Sequence, residues 1–408
     1  MKLLSVDTLD KAREKILERV TVWPLQSEIV SLDNAQDRIL AEDLYSPCDI
    51  PGFDRSTVDG YALKATDTAA AGEAIPVFLK LKGNVSMGEC TPLSINCGEC
   101  VYVPTGGMLP QGADAVVMIE HCESASDGIA VYESVAVGAG VALSTEDVKK
   151  GALLLKRGTL IRPQEIGALA ASGIMSLSVF SPFNLGIIST GDELIPPEQE
   201  PRPGEIRDIN SYALKAQVQK RAFTVTGTQL LSDNEEGLEA ALKEALAEND
   251  IVIISGGSSQ GEKDITAKLI DKVARPGVFT QGLALKPGKP TILGWDEESQ
   301  ALLAGLPGHP VAAMMVFELL LGWLHDKLFK LNPPFQIPAR ISCNVPGAPG
   351  RAVCQGVILH KEEGGYSAEP VFGKSATITT LTQADGYFII DLNKEGLKKG
   401  ESVMVQLF

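Results

Sequence analysis

IVIISGGSSQGEKDITAKL, residues 251–269, is the stretch on which the reading of this chain turns. Ile251 to Ile254 form an apolar, mostly β-branched run, the composition of a short strand covered on both faces. Ser255-Gly256-Gly257-Ser258-Ser259 follows, and glycines there let backbone N–H groups approach a ligand without interference from Cβ atoms. Asp264 then falls where a helix begins, placed either to cap it or to lie beside a bound anion and hold a divalent cation. The loop matches neither G-x-G-x-x-G nor G-x-x-x-x-G-K-[ST], so alone it fits a plain strand-to-helix turn as well as a phosphate cradle.

The same alternation continues on the N-terminal side. NLGIISTGDEL (184–194) reads as a strand entering an acidic loop, SYALKAQVQKRA (211–222) as a helix, FTVTGTQLL (223–231) as a strand and EEGLEAALKEALAE (235–248) as a helix. With DITAKLIDKVA (264–274) as the next helix, this predicts a parallel sheet with helices on both faces. Ligands on such sheets bind at the carboxyl ends of the strands, where STGDE (189–193) and SGGSSQGEKD (255–264) both sit. LALKPGKPTILG (283–294) adds Lys286 and Lys289 on a turn stiffened by Pro and Gly, and LLAGLPGHPVAAMM (302–315) is a strand, a Gly-Pro loop and a helix after Pro310. In an acidic chain, a rigid basic turn near strand ends suits an anion. His309, a lone histidine, is read as structural.

Composition excludes several classes. The 408 residues, 44% of them hydrophobic, are enough for two to four domains with sizeable cores. With 52 acidic against 36 basic residues the net charge is -16, which argues against a general nucleic-acid or anionic-membrane surface. The opening MKLLSVDTLDKAREKIL becomes charged too soon for a signal peptide, and the apolar run Val311 to Leu324 is interrupted by Glu318 and too short to span a bilayer. A cytoplasmic location is expected, in keeping with seven cysteines read as free thiols. Cys97-Gly98-Glu99-Cys100 has metal or redox spacing, but no second CxxC follows at zinc-ribbon distance, and the pair is read as incidental strand cysteines.

Asp7 is placed to cap a helix from about Thr8 to Val20 with Leu9, Ala12, Ile16 and Leu17 as its apolar stripe. From Ile29 to about Asp147 short strands broken by Gly and Pro predict a β-rich domain. Within it PGFDRSTVDGYAL (51–63) crowds Asp54, Ser56, Thr57 and Asp59 into one turn, a concentration of polar side chains typical of a binding loop. Pro163 and Gly173 bracket a helix in PQEIGALAASG, so the β-rich segment reads as an insertion between two parts of a helical domain. The expected division is 1–28 with 148–181 as that split domain, 29–147 as the inserted β-rich domain, 182–331 as the αβ domain and 332–408 as a small β domain.

Taken together, PGFDRSTVDGYA, PTGGMLPQGADAVV, STGDEL, SGGSSQGEKD, LKPGKP and GLPGHPV, in this order and at these separations, resemble the molybdopterin molybdotransferase family, which includes the C-terminal domain of gephyrin. The match covers nearly the whole chain, and the motifs in combination are highly specific. The resemblance implies an αβ molybdopterin-binding domain, a C-terminal β barrel and an elongated homodimer in which the β domain of one subunit faces the αβ domain of the other. It implies insertion of molybdate into adenylylated molybdopterin with release of AMP, assisted by Mg²⁺, and a molybdopterin adenylyltransferase as a partner.

Residue by residue, the resemblance assigns catalysis to Asp59, Asp147, Glu193 and Asp264, with Glu193 and Asp264 as metal ligands. Substrate binding falls to Thr105, Asp192, Ser255, Gly256, Gly257, Ser258, Pro307 and Gly308, and the oxyanion pocket to Lys286, Lys289 and Ser375. Three departures stand out. Leu143-Ser144-Thr145-Glu146-Asp147 replaces R-x-x-G-E-D, His309 replaces an Asn, and Cys354-Gln355-Gly356-Val357 lacks the Arg of an Arg-Gly pair. They leave open a tungstate-inserting paralogue, weakened catalysis, or a non-catalytic molybdopterin-binding scaffold, although a scaffold has no need of converging carboxylates.

Overall fold

The computed structural model describes residues 6–221, 223–256 and 263–408. Gly257 and Ser258, assigned to substrate binding above, lie outside the described residues, as does the side chain of Asp264. Two compact units form, one from residues 6–28, 37–39 and 180–408 and the other from 29–36 and 40–179.

The first unit is built on a six-stranded sheet in the spatial order Phe223–Leu231, Phe183–Thr190, Ile251–Gly256, Ala301–Leu306, Ile292–Asp296, Pro276–Gln281. The first four strands are parallel, as the alternation predicts. Ile251 to Ile254 are at most 2% exposed, which explains their unbroken apolar sequence. Helices Glu235–Glu248 and Lys263–Val273 pack together on one face, and Asn210–Val218 and Pro310–Phe317 on the other. Ile292–Asp296 runs antiparallel to both its neighbours, Ala301–Leu306 and Pro276–Gln281, which departs from the all-parallel expectation. The cause is the tight turn 297–300: a four-residue link joins only antiparallel neighbours, and Asp296 fastens it by accepting hydrogen bonds from the Ser299 N–H (2.9 Å) and Oγ (2.7 Å).

The C-terminal β domain is a closed five-stranded barrel. Ala352–Glu362 pairs with Gly365–Pro370 along its second half and with Gly386–Ile390 along its first, and Gln336–Ile341 and Ser402–Leu407 complete the ring. Val353, Val357, Ala368, Phe388 and Val405 fill it. Leu285–Lys286 adds a short parallel strand beside Ala352 and Val353, tying the lysine turn to the barrel.

Helix Leu9–Val20 buries Ala12, Ile16 and Val20. Its N-cap is Thr8, whose side chain accepts from the Lys11 N–H, and not Asp7. Asp7 is 3% exposed and engaged elsewhere: its carboxylate accepts from Lys15 Nζ (2.5 Å) and Thr280 Oγ1 (2.8 Å), and its backbone bonds to Gly282 and Ala284. The sequence groups residues 1–28 with 148–181, whereas this helix packs with the αβ domain: Arg13 donates twice to the Leu319 carbonyl and Trp23 Nε1 to that of Gln300.

The second unit holds the β-rich domain, a six-stranded sheet in the order Ala115–Met118, Gly60–Leu63, Glu99–Val103, Val77–Asn84, Gly128–Val131, Cys122–Ala125. Alternate residues serve its two faces, Tyr61, Leu63 and Val117 on one and Ala62, Val101 and Val116 on the other. A second core surrounds helix Pro163–Ala171, which starts at Pro163 as expected and ends before Gly173 at φ +72°.

Candidate active site

The carboxyl ends of the parallel strands form the candidate site of the first unit. Thr190 and Gly256 are register partners there, and Gly256 has φ +136°. A Cβ at Gly256 would lie 1.9 Å from the Thr190 carbonyl oxygen, so only glycine permits this approach. Thr190 Oγ1 donates to Asp233 Oδ1 (2.6 Å), and the Asp233 N–H donates to Asp192 Oδ1 (3.0 Å). The exposed Asp192 and Glu193 thus stand on one rim together with Asp233, a residue that sequence reading missed because Asp233-Asn234 looks like an ordinary helix start. Among the described residues no group of three or more His, Cys, Asp or Glu side chains is arranged to hold a metal ion.

Ser255 is fully buried, and its Oγ accepts from Asn210 Nδ2 (2.8 Å). The same amide donates to the Gly308 carbonyl (2.8 Å), so the loop ends at Ser255 and Pro307-Gly308 share one partner. The Ser255 side chain therefore supports the rim from within.

Lys286 and Lys289 are both exposed on the turn that leans on the barrel. Ser375 hydrogen-bonds His309 Nδ1 (2.7 Å), and its carbonyl accepts from the Val311 N–H (3.2 Å). His309, read as structural, is the link between the helix Pro310–Phe317 and the serine assigned to the oxyanion pocket. A lone histidine carries no spacing signal that would reveal this.

In the second unit Asp59 and Thr105 meet: Asp59 Oδ1 accepts from the Thr105 N–H (2.7 Å) and Oγ1 (3.0 Å), and both residues are exposed. Asp147 is exposed, with its N–H donating to the Ile50 carbonyl. Part of the polar turn 51–63 serves the fold. Ser56 is buried and donates to the Val58 carbonyl (2.5 Å), while Asp54 accepts from the Ser144 N–H (2.7 Å).

The CxxC pair diverges, with Cys97 exposed and Cys100 in the sheet core, where burial first and Cys122 second push its thiol up to about 12. Such a thiol is a poor ligand. Cys97→Ser is expected to leave activity and melting temperature unchanged, and Cys100→Ala to cost about 1 kcal/mol, the order of one buried methylene-sized group. Stoichiometric zinc in the purified protein that vanishes in the double variant would show the opposite.

Comparison with known proteins adds to this geometry. Residues 7–173 match the MoeA N-terminal region (domain I and II), 186–326 a molybdopterin binding domain, and 338–408 the MoeA C-terminal region (domain IV). The molybdopterin molybdenumtransferase of Haemophilus influenzae is 33% identical over 98% of this chain and 98% of its own. The chain belongs to the molybdopterin molybdotransferase family. Another family member, the molybdopterin molybdenumtransferase of Bacillus subtilis, is 31% identical over 94% of this chain and 90% of its own. A crystal structure of the molybdopterin biosynthesis MoeA protein of Pyrococcus horikoshii superposes with a TM-score of 0.84 at 31% identity, covering 99% of this chain and 100% of that one. The family's multidomain architecture, with αβ domain and C-terminal barrel, is the one described above.

Proposed function

We propose that the protein inserts molybdate into adenylylated molybdopterin, releasing AMP and leaving molybdenum on the two dithiolene sulfurs. The observation that carries this reading is the strand-end rim, where Gly256 closes onto Thr190 beside the carboxylates of Asp192, Glu193 and Asp233. Backbone donors from the Gly-rich loop suit a pyrophosphate-linked ligand. Lys286, Lys289 and Ser375 would receive the oxyanion, Pro307 and Gly308 would border the pterin, and Asp59, Thr105 and Asp147 would act from the β-rich domain.

Mg²⁺ fits the donor set, because the rim offers carboxylate and hydroxyl oxygens and this ion is commonly held by one or two carboxylates together with substrate phosphates. We assign it to Glu193 and Asp264. When bound it would disperse negative charge on the anhydride as AMP leaves. The protein is proposed to act in the cytoplasm as a homodimer whose sites each draw on two chains, and to receive its substrate from a molybdopterin adenylyltransferase. Among the described residues no helix is long and apolar enough to cross a membrane. Tungstate is the second candidate oxyanion, because the arginine that the family places beside Gly356 is absent from this chain.

The test incubates purified protein with adenylylated molybdopterin, Mg²⁺ and either molybdate or tungstate. One AMP per metal inserted is expected with molybdate. Binding of the pterin without AMP release would leave a binding or scaffold protein, and AMP release with tungstate alone would move the oxyanion assignment.

A further inference from the structure

The turn Asp208-Ile209-Asn210-Ser211 crosses the carboxyl ends of three neighbouring parallel strands. Asp208, 4% exposed, accepts from Ser189 Oγ (3.1 Å) on Phe183–Thr190 and from the Ser211 N–H (3.1 Å). Asn210, 7% exposed, donates to Ser255 Oγ on Ile251–Gly256 and to the carbonyl of Gly308, just past Ala301–Leu306. A carbonyl oxygen only accepts, so the orientation of the Asn210 amide is fixed by Gly308. Both amide hydrogens are thereby used, on partners 45 and 98 residues away.

We infer that Asn210 is a positioning residue for substrate binding, setting the distance between the strand end at Ser255-Gly256 and the Pro307-Gly308 loop; this rests on the function proposed above. Its other end argues that stability alone does not account for it. Among the described residues Asn210 Oδ1 and the adjacent Ser211 Oγ are buried without a hydrogen-bond partner, a cost that a purely structural turn avoids by capping or by an apolar side chain. The rim thus keeps an amide that is only half satisfied, and the half that is satisfied faces both loops.

The strand end at Ser255-Gly256 and the Pro307-Gly308 loop would hold one ligand from either side. Loss of the shared donor leaves the strand end at Ser255-Gly256 and the Pro307-Gly308 loop free to settle separately, so pterin affinity falls, while Lys286 and Lys289 keep their place on the turn paired with the barrel. Asn210→Ala removes the donors, and Asn210→Asp removes them while keeping size and setting an acceptor against the Gly308 carbonyl. In both variants the half-saturating concentration of adenylylated molybdopterin is expected to rise about tenfold, the scale of one lost hydrogen bond. Equilibrium dialysis of molybdopterin alone should show the same loss, and amide exchange of the ligand-free protein should rise across 253–256 and 306–310.

An Asn210→Asp variant that behaves as wild type, or a drop in maximal rate without any change in pterin affinity, overturns the inference. So does faster exchange at both loops with unchanged affinity. Should Asn210→Ala not fold, Ser255→Ala removes one acceptor of the same tether, and an unchanged affinity there is equally fatal. A wild type that binds molybdopterin without turnover removes the proposed reaction, and the dialysis and exchange measurements still decide the role of Asn210.

Discussion

Gly256→Ala is expected to lower the melting temperature by about 10 °C and to weaken binding of adenylylated molybdopterin about hundredfold. A left-handed backbone costs a residue with a side chain about 1 to 3 kcal/mol, and forcing an extra carbon into packed backbone costs about as much again. At roughly 2 to 4 °C per kcal/mol for a domain of this size, the sum gives the melting shift. Binding suffers separately, because the added Cβ would sit 1.9 Å from the Thr190 carbonyl and the two strand ends must part. Thr190 also holds Asp233, which holds Asp192, so the acidic rim moves with them. Gly227→Ala is the control: on the neighbouring strand Phe223–Leu231, a Cβ there meets nothing within 4 Å, and neither melting nor binding should change. Wild-type behaviour of Gly256→Ala, by calorimetry and equilibrium dialysis, would show that these strand ends are not the binding edge.

Where periodicity is local, the sequence was informative. The strands Phe183–Thr190, Phe223–Leu231 and Ile251–Gly256 and their intervening helices follow from apolar runs and caps a few residues apart. The hairpin of Ile292–Asp296 and Ala301–Leu306 was hidden because its turn contains no glycine: Gln300 adopts φ 55° in place of one. Barrel closure was legible only through the family resemblance and not from periodicity, since it depends on pairing Val353–Val357 with Gly386–Ile390 across an intervening strand. Asp7 illustrates a further limit. An Asp before a helix reads as a cap, yet here burial with Lys15 and Thr280 recruits it to the αβ domain while Thr8 takes the cap.

The candidate site divides along the same line. Motif residues such as Asp192 and Gly256 stand out in the linear chain because glycine and acid cluster at predicted strand ends. Asn210, Asp208 and Asp233 do not, because Asx residues at helix starts are common for local reasons. Their part in the rim depends on strands that only the folded sheet brings side by side. Ser56 errs in the other direction: its polarity suggests binding, whereas its hydroxyl closes its own loop.

In the proposed oxyanion pocket, the double variant Lys286→Ala/Lys289→Ala is expected to raise the molybdate concentration at half-saturation about hundredfold or more. Each charge-assisted hydrogen bond to a dianion contributes roughly 1.5 to 3 kcal/mol, so one lysine alone corresponds to about tenfold or more. Both ammonium groups belong to exposed residues on a turn fixed to the barrel through Leu285 and Lys286, so the truncations remove charge without opening the core. Melting temperature should therefore stay within about 2 °C, since surface substitutions usually change stability by less than 0.5 kcal/mol. The barrel strand that carries the Lys286 partner Val353 reaches Gly356 three residues later, and the Gly356 carbonyl accepts from the Val371 N–H at the start of the loop to Ser375. A guanidinium there would offer a fork of donors that lysine does not reproduce. The backbone accommodates one: Gly356 lies outside the left-handed region, and an added Cβ meets only Ala384 Cβ, at 3.4 Å. Gly356→Arg is accordingly expected to lower half-saturating molybdate about tenfold, and to restore part of the affinity lost in Lys289→Ala. Titrating AMP release against molybdate separates the cases: an unchanged midpoint in the double lysine variant places the oxyanion elsewhere, and an unchanged midpoint in Gly356→Arg alone places it away from this strand.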